Sequence, residues 1–281
     1  AQRDPRSAVT ETLADRVGAP FGARVVPVLE RAEHGAYLVL TCADRHGPEP
    51  EPGQFYMLMA ARRWWGGAGE RPYLPRAFSV LRAPAGTLQF LLEAVGPATR
   101  RLCELDAGDG LSIVGPLGRG FRPPRDGRRP VLCGGGVGIA PLALWQDVLG
   151  PGTPALLGFR DAAHAAGSAL LRDARVACDD GSHGHHGLVT ELLAAELDAG
   201  APAEVFACGP PPMLEAVRAL CAQHGAPCQL ALESGMACGY GACFGCVVPT
   251  TRGLIRLCLE GPVLEGSELG PEAFAMPGHG S

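Results

Sequence analysis

Four cysteines near the C-terminus, Cys238, Cys243, Cys246 and Cys258, stand in the spacing C-x4-C-x2-C-x11-C. Thiolates grouped in this way can hold a zinc ion, an iron-sulfur cluster or a disulfide, or remain reactive thiols. A plant-type [2Fe-2S] site uses C-x4-C-x2-C followed by a later fourth Cys. Structural zinc sites usually pair two C-x2-4-C knuckles instead. Gly239, Gly241 and Gly245 are interleaved with the first three thiols. They remove side chains where the loop must wrap closely, and they permit positive φ where it turns. The pattern favours a [2Fe-2S] cluster, with zinc or unliganded thiols as the alternatives. The other seven of the 11 cysteines lie singly, mostly in apolar runs where a thiol acts as a small hydrophobe, so a disulfide framework is disfavoured.

A cluster that carries single electrons cannot take a hydride from a nicotinamide, and a flavin is the group that converts one kind of transfer into the other. "RAFS" (Arg76, Ala77, Phe78, Ser79) reads as a strand on which Arg76 can pair with a pyrophosphate, Phe78 can stack on a flat ring and Ser79 can bond the flavin N5 region. "VGPAT" (Val95 to Thr99) precedes a helix start, where backbone N–H groups and the Thr99 hydroxyl suit a phosphate. "GPLGRGF" (Gly115 to Phe121) closes this region with three glycines.

Pyridine-nucleotide chemistry needs a second glycine turn. "VLCGGGVGIAPL" runs strand, turn, helix through Gly134, Gly135, Gly136 and Gly138. Ile139 stands where a third glycine of a strict G-x-G-x-x-G would follow Gly134 and Gly136. "ACGPPPML" ends another strand at Cys208 and Gly209 and opens a helix toward the same crevice. Cys208 either touches the nicotinamide or is a buried strand thiol. Asp161, in "LGFRDAAH", is placed to bond a ribose 2'-OH and favour NAD, while its neighbour Arg160 argues for NADP. His183, His185 and His186 lie close together, but their spacing is poor for a metal and they read as solvated loop residues. No residue reads as a general base for removing a substrate proton.

These residues need elements to position them. From about Phe21 to Phe121, six short alternating runs bounded by Gly, Pro and Asp predict an antiparallel barrel or sandwich. After the linker "RPPRDGRRP", strands alternate with helix-length segments, which predicts an α/β unit with a mostly parallel sheet. The last fifty or so residues hold the cysteine loop and two short strands, "CVVPT" and "LIRLC", too little for a core of their own. The expected division is an α+β multidomain chain, with a β-barrel flavin domain at 20–125, an α/β nucleotide domain at 126–228 and a small cluster domain at 229–281. Trp64 and Trp65 interrupt the barrel pattern in a long Gly and Arg loop, as a partner surface or as aromatics folded back on the barrel.

Composition narrows the rest. A chain of 281 residues, 47% hydrophobic and 6% aromatic, is a folded globular protein of two or three domains. A net charge of -5, with no lysine at all, leaves no basic stripe for nucleic acid. A polar N-terminus and the lack of any long apolar run imply neither signal nor membrane span, so a cytoplasmic chain is expected.

In these motifs, from about Val25 to Leu269, the chain resembles the electron-transfer subunits of NAD-dependent (class 1B) dihydroorotate dehydrogenase, in the ferredoxin-reductase superfamily. "PGQF", "RAFSV", "GPLGRGF", "GGGVGIAPL", "CDDGSHGHHGLVTELL", "ACGPPPML", "LESGMACGYGACFGC" and "CLEGPVL" carry the resemblance, in that order. It implies FAD held by Arg76 to Ser79, Leu91, Leu92, Glu93, Ala98 and Thr99, and a [2Fe-2S] cluster on the four cysteines. It also implies an FMN-containing catalytic partner subunit in a heterotetramer, with electrons passing from dihydroorotate through FMN, cluster and FAD to NAD in pyrimidine biosynthesis. Gly96, Pro97, Ala98 and Thr99 depart from the family's usual Gly-x-Gly-Thr. The same module could serve another redox complex, such as a hydrogenase, a transhydrogenase or a sulfide dehydrogenase, or persist as a non-catalytic redox sensor.

Overall fold

The computed structural model describes residues 22–62 and 74–275. Trp64 and Trp65, expected as a partner surface or a folded-back pair, lie outside the described residues, as does the polar N-terminal segment. Six strands, β1 (Arg24–His34), β2 (Tyr37–Ala43), β3 (Phe55–Ala60), β4 (Arg76–Arg82), β5 (Thr87–Glu93) and β6 (Gly110–Leu117), close an antiparallel barrel in the order β1-β2-β5-β4-β3-β6. Each of the six runs read from the sequence becomes one strand, and closure removes the free edges that a sandwich would leave. The β6 burial pattern alternates without a break, so Leu111 and Ile113 point inward with Leu40, Tyr56, Leu58, Phe90 and Leu92. A short helix, α1 (Pro97–Cys103), follows β5 and closes the barrel with Ala98 and Leu102.

The second unit is a seven-stranded sheet containing β7 (Arg129–Gly135), β8 (Ala155–Phe159), β9 (Ala174–Cys178), β10 (His185–His186), β11 (Ala203–Cys208), β12 (Cys228–Ala231) and β15 (Val263–Glu265). Its order is β10-β9-β8-β7-β11-β12-β15, all parallel except for antiparallel β15. The chain leaves β7 toward β8 on one side and later returns to pair β11 on the other. The ligand crevice of an open α/β sheet lies at such a reversal. The helices α2 (Ile139–Leu149), α3 (Ala162–Ala165), α4 (Val189–Ala199) and α5 (Pro211–Gln223) connect these strands. Most of α2 is buried around its circumference, including Trp145 and Gln146, because it lies between the sheet and strand β4 of the barrel.

Three hydrophobic clusters show how the units join. One fills the barrel. A second carries Tyr37, Val39, Leu81 and Leu91 of the barrel onto α2 and one sheet face. The third carries Phe55, Met57 and Leu117 onto the opposite side, with Cys246, Val248, Ile255, Leu257 and Cys258. The linker is pinned as well. Arg122 N–H donates to Gln229 Oε1 (2.9 Å), Arg125 N–H donates to Glu204 Oε2 (2.8 Å), and Gln229 Nε2 donates to Glu204 Oε1 (3.0 Å).

The C-terminal segment adds a hairpin, β13 (Val247–Thr250) and β14 (Gly253–Arg256), and a helical turn, α6 (Leu257–Glu260). "LIRLC" is therefore strand only as far as Arg256. Leu257 and Cys258 turn into α6, where Arg256 N–H is held by Glu260 Oε2 (2.8 Å) and Leu257 N–H by Cys246 O (3.0 Å).

Candidate functional site

Backbone geometry brings the four cysteines together in two pairs. The turn into α6 places Cys258 Sγ 3.3 Å from Cys246 Sγ. In the preceding loop, Cys243 N–H donates to Cys238 Sγ (3.4 Å), and Gly245 N–H donates to Cys243 Sγ (3.4 Å). Burial raises the Cys238 thiol, but N–H groups of Cys243, Tyr240 and Ala242 outweigh it and bring the thiol down to about 7. Burial and the Cys246 thiol push Cys258 up to about 12. Among the described residues no group of three or more His, Cys, Asp or Glu is arranged around a single ion. A two-plus-two set of thiols, with backbone N–H groups aimed at sulfur, fits a two-iron cluster with two thiolates to each iron.

The loop is also tightly seated. Gly239 and Gly241 adopt φ of 81° and 88°. A Cβ on Gly239 would lie 2.5 Å from Met57 Cγ, and one on Gly241 would lie 2.6 Å from Leu259 Cδ1. Met57 is paired across β3 and β4 with Ala77. The cysteine loop thus rests on the strand beside "RAFS". Phe244 takes φ of 58°, is 62% exposed, and lies under the Arg256 guanidinium, 4.9 Å from the ring centroid. Positive φ in an aromatic residue is uncommon and costs energy, and no sequence signal points to it.

The residues expected at the flavin divide into three groups. Ala77, Phe78 and Ser79 are half-buried on β4, while Arg76 is exposed and donates to Leu74 O (2.8 Å). Leu91 and Leu92 are buried in two different cores, so at these positions only backbone is free to meet a ligand. Ala98 is buried at the start of α1. The Thr99 hydroxyl, expected at a phosphate, accepts Gly96 N–H (2.9 Å) and donates to Gly96 O (3.1 Å), which closes the turn. Its proton is therefore turned inward. A Cβ on Gly96 would meet nothing within 4 Å, so the space beside this turn is open. Glu93 turns away from this group and reaches across to the sheet unit.

On the sheet, Cys208 and Gly134 are direct neighbours in the β11–β7 ladder. Gly135, Gly138 and Gly209 close the same crevice. A Cβ on Gly138 would lie 2.5 Å from Cys208 O, and one on Gly135 would lie 2.5 Å from Met213 Sδ. Gly136 has φ of 55°. The glycines therefore permit backbone-to-backbone approach where the strand order reverses. The Cys208 thiol is buried, and that burial raises it well above the ordinary thiol range, so it stays protonated.

Asp161, two residues beyond the end of β8, caps α3, accepting His164 N–H (3.0 Å). Hydrogen bonds from His164 hold its carboxyl below the usual range. The His164 ring is buried between Asp161 Oδ1 (2.6 Å from Nδ1) and Glu93 Oε1 (3.2 Å from Nε2), and Arg160 Nη2 donates to the same Glu93 oxygen (2.8 Å). Tyr37, opposite Glu93 in the β2–β5 ladder, packs edge-on against His164 with a buried hydroxyl that has no partner. Sequence reasoning found Asp161 and Arg160 but not Tyr37, Glu93 or His164 in this cluster. The spacing of Asp161 and His164, a capping residue followed three positions later by a polar side chain, was the available signal. His183, His185 and His186 are exposed, and His185 Nε2 pairs with Glu191 Oε2 (2.7 Å).

A family model described as the iron-sulfur cluster binding domain of dihydroorotate dehydrogenase B matches residues 233–270. The dihydroorotate dehydrogenase B (NAD(+)) electron transfer subunit of Clostridium acetobutylicum is 36% identical over 226 residues, covering 79% of this chain and 87% of its own length. A probable counterpart in Methanopyrus kandleri is 32% identical over 263 residues, covering 89% and 94%. Among solved structures, an NADH-dependent reduced ferredoxin-NADP oxidoreductase superposes with a TM-score of 0.74 at 22% identity, covering 89% of this chain and 91% of that one. A ferredoxin NADP+ reductase from Neisseria gonorrhoeae, with bound FAD and NADP, has a TM-score of 0.56 at 18% identity, covering 72% and 92%. Both share the barrel-and-sheet fold.

Proposed function

This chain belongs to the family of dihydroorotate dehydrogenase B (NAD(+)) electron transfer subunits, and from that premise we infer that it conducts electrons between a dihydroorotate-oxidising partner and NAD in pyrimidine biosynthesis. Among the described residues no helix is long and apolar enough to cross a membrane. The substrate is oxidised on the partner, an FMN-containing catalytic subunit, and two copies of each subunit assemble. A bound FAD exchanges hydride with a nicotinamide and single electrons with an iron-sulfur cluster.

The chain's own residues bind and orient these groups. Cys238, Cys243, Cys246 and Cys258 hold the cluster, with N–H groups of the loop stabilising sulfur charge. Arg76 to Ser79 hold FAD from β4, and backbone at Leu91 and Leu92 and the Gly96 to Thr99 turn lies beside it. Gly134, Gly135, Gly136 and Gly138 present the turn's N–H groups to the pyrophosphate of NAD, Cys208 and Gly209 lie at its nicotinamide end, and Asp161 meets the ribose. One observation carries this reading. Gly239 of the cysteine loop packs on Met57, which is paired with Ala77 of the flavin strand, so cluster and flavin sites share one wall.

The test uses the purified full chain, with iron, acid-labile sulfide and flavin assayed together. Expected is a two-iron, two-sulfide content with FAD, NADH-driven reduction of artificial acceptors, and no oxidation of dihydroorotate until the partner is added. Turnover of dihydroorotate by this chain alone, or a zinc-containing and flavin-free preparation, overturns the reading.

A further inference from the structure

Cys221 and Cys228 stand apart in the sequence as single thiols in apolar runs, and the electron path does not use them. The fold makes them a pair. Cys221 lies in the last turn of α5 and Cys228 opens β12, and the connection between them is drawn tight by Ala226 N–H, which donates to Cys221 O (2.9 Å). Across that turn Cys221 S–H donates to Cys228 Sγ. Both residues are buried, at 1% and 5% exposure, yet both line one cavity of about 180 Å³ walled by Arg125, Arg218 and Glu265. Its rim, at Ala222 and Ser267, is exposed, so a small molecule can reach the sulfurs.

The two thiols differ in character. Cys228 Sγ accepts from Cys221, lies near the Arg218 guanidinium and accepts Gly266 N–H, and these hold its ionisation below the ordinary thiol range against burial and the Glu265 carboxylate. A Cβ on Gly266 would fall 2.3 Å from Cys228 Sγ, so the missing side chain is what lets this N–H approach. Glu265 is itself paired with Arg122 and Arg125, and Arg218 with Glu215 (2.7 and 2.8 Å). Cys221 is the donor, and its bond to Cys228 together with burial keeps it protonated. Cys133, fully buried and without such donors, is pushed up to about 12 by burial. A stabilised thiolate beside a protonated second thiol is the arrangement of a reactive cysteine and its resolving partner.

We propose that Cys221 and Cys228 form a reversible redox site, in which hydrogen peroxide oxidises Cys228 and Cys221 resolves the product into a disulfide. The Cys228 thiolate attacks one peroxide oxygen, the O–O bond breaks, and hydroxide leaves as Cys228 becomes a sulfenic acid. Cys221 sulfur then attacks the sulfenic sulfur, the S–S bond forms, and the hydroxyl departs with the Cys221 proton as water. The two thiols lose two electrons, and peroxide gains them to become two waters, one of them formed with the proton Cys228 had released. A dithiol reductant reverses the bond by exchange. The disulfide would pin α5 to β12, the strand on which β15 of the C-terminal segment pairs. The site stands on its own geometry, independent of the electron-transfer reading.

The experiment exposes the purified full chain with its cofactors to stepwise hydrogen peroxide, alkylates the remaining thiols and locates the oxidised cysteines by mass spectrometry. Cys221 and Cys228 should be lost from the alkylated set together, linked to each other, before the more exposed but unpaired Cys103, and a dithiol reductant should restore both. In Cys221→Ser, dimedone should capture Cys228 as its sulfenic acid. In Cys228→Ser, oxidation of Cys221 should fall about tenfold or more. The unaltered chain decides the matter even where a variant does not fold. Earlier oxidation of Cys103, a disulfide joining either residue to another cysteine, or undiminished oxidation of Cys221 in Cys228→Ser overturns the proposal.

Discussion

Gly239 and Met57 are so close that a single methyl group on Gly239 would fall 2.5 Å from Met57 Cγ. Gly239 also holds φ of 81°, a region that costs an L-residue about 1–2 kcal/mol. Gly239→Ala should therefore lift the loop from the barrel and lower iron content, while flavin and barrel remain. Adding Met57→Ala removes the clash but not the backbone strain, so iron content should recover in part. Iron and flavin assays on the two variants check this.

The thiol pairs make a sharper statement about the metal. Cys258→Ser and Cys246→Ser each remove one member of the buried pair that stands 3.3 Å apart. Either change should abolish iron retention after anaerobic purification, and NADH-driven transfer to a one-electron acceptor that draws on the cluster should fall with it. Iron bound at the original level in both variants would contradict the ligand set.

Glu204 is fully buried, and its two oxygens accept Arg125 N–H and Gln229 Nε2. Glu204→Ala strands both donors, each at a cost of about 1–3 kcal/mol. The expected loss, about 2–6 kcal/mol, would free the linker from the sheet. Urea unfolding measures the loss, and faster proteolysis near Arg122 to Arg128 reports the released linker.

How much of this was legible beforehand depends on the range of the interaction. The barrel strands could be read because alternation and bounding turns are local, and the crevice glycines because strand, glycine turn and helix follow each other directly. The three residues of β15 show no such pattern and form a strand only because β12 offers an edge. The partner of Glu93 was illegible for the same reason. Arg160 lies 67 residues away, and only the docking of barrel on sheet brings the two together. Thr99 shows the converse limit, since its hydroxyl is satisfied locally by Gly96 before any ligand arrives.

Tyr37 offers a test of that docking. Its hydroxyl is buried without a partner, and burial with the nearby Glu93 carboxylate pushes its ionisation upward. An unmatched buried hydroxyl costs free energy. Tyr37→Phe should therefore leave stability unchanged or raise it by up to about 1 kcal/mol, whereas Tyr37→Ala, which empties the contact with His164 and Phe159, should lower it by about 3–5 kcal/mol. Denaturant midpoints for the two variants distinguish packing from hydrogen bonding at this junction.

His224 links α5 to α4 in a way that depends on pH. Its Nδ1–H donates to Leu220 O (2.9 Å) and its Nε2–H to Asp198 Oδ1 (3.0 Å), so both bonds together require the imidazolium. The Leu220 carbonyl and then Asp198 raise its pKa above the ordinary histidine value. The folded chain thus holds this proton more tightly than the unfolded chain. The stabilisation is complete below about pH 6.5, the unfolded value, and is lost as pH rises through the folded one. His224→Gln should lower the melting temperature at pH 5.5 and leave it nearly unchanged at pH 9. An equal effect at both values would show that the ring acts by packing alone, because Asp198 attracts it only while it is charged.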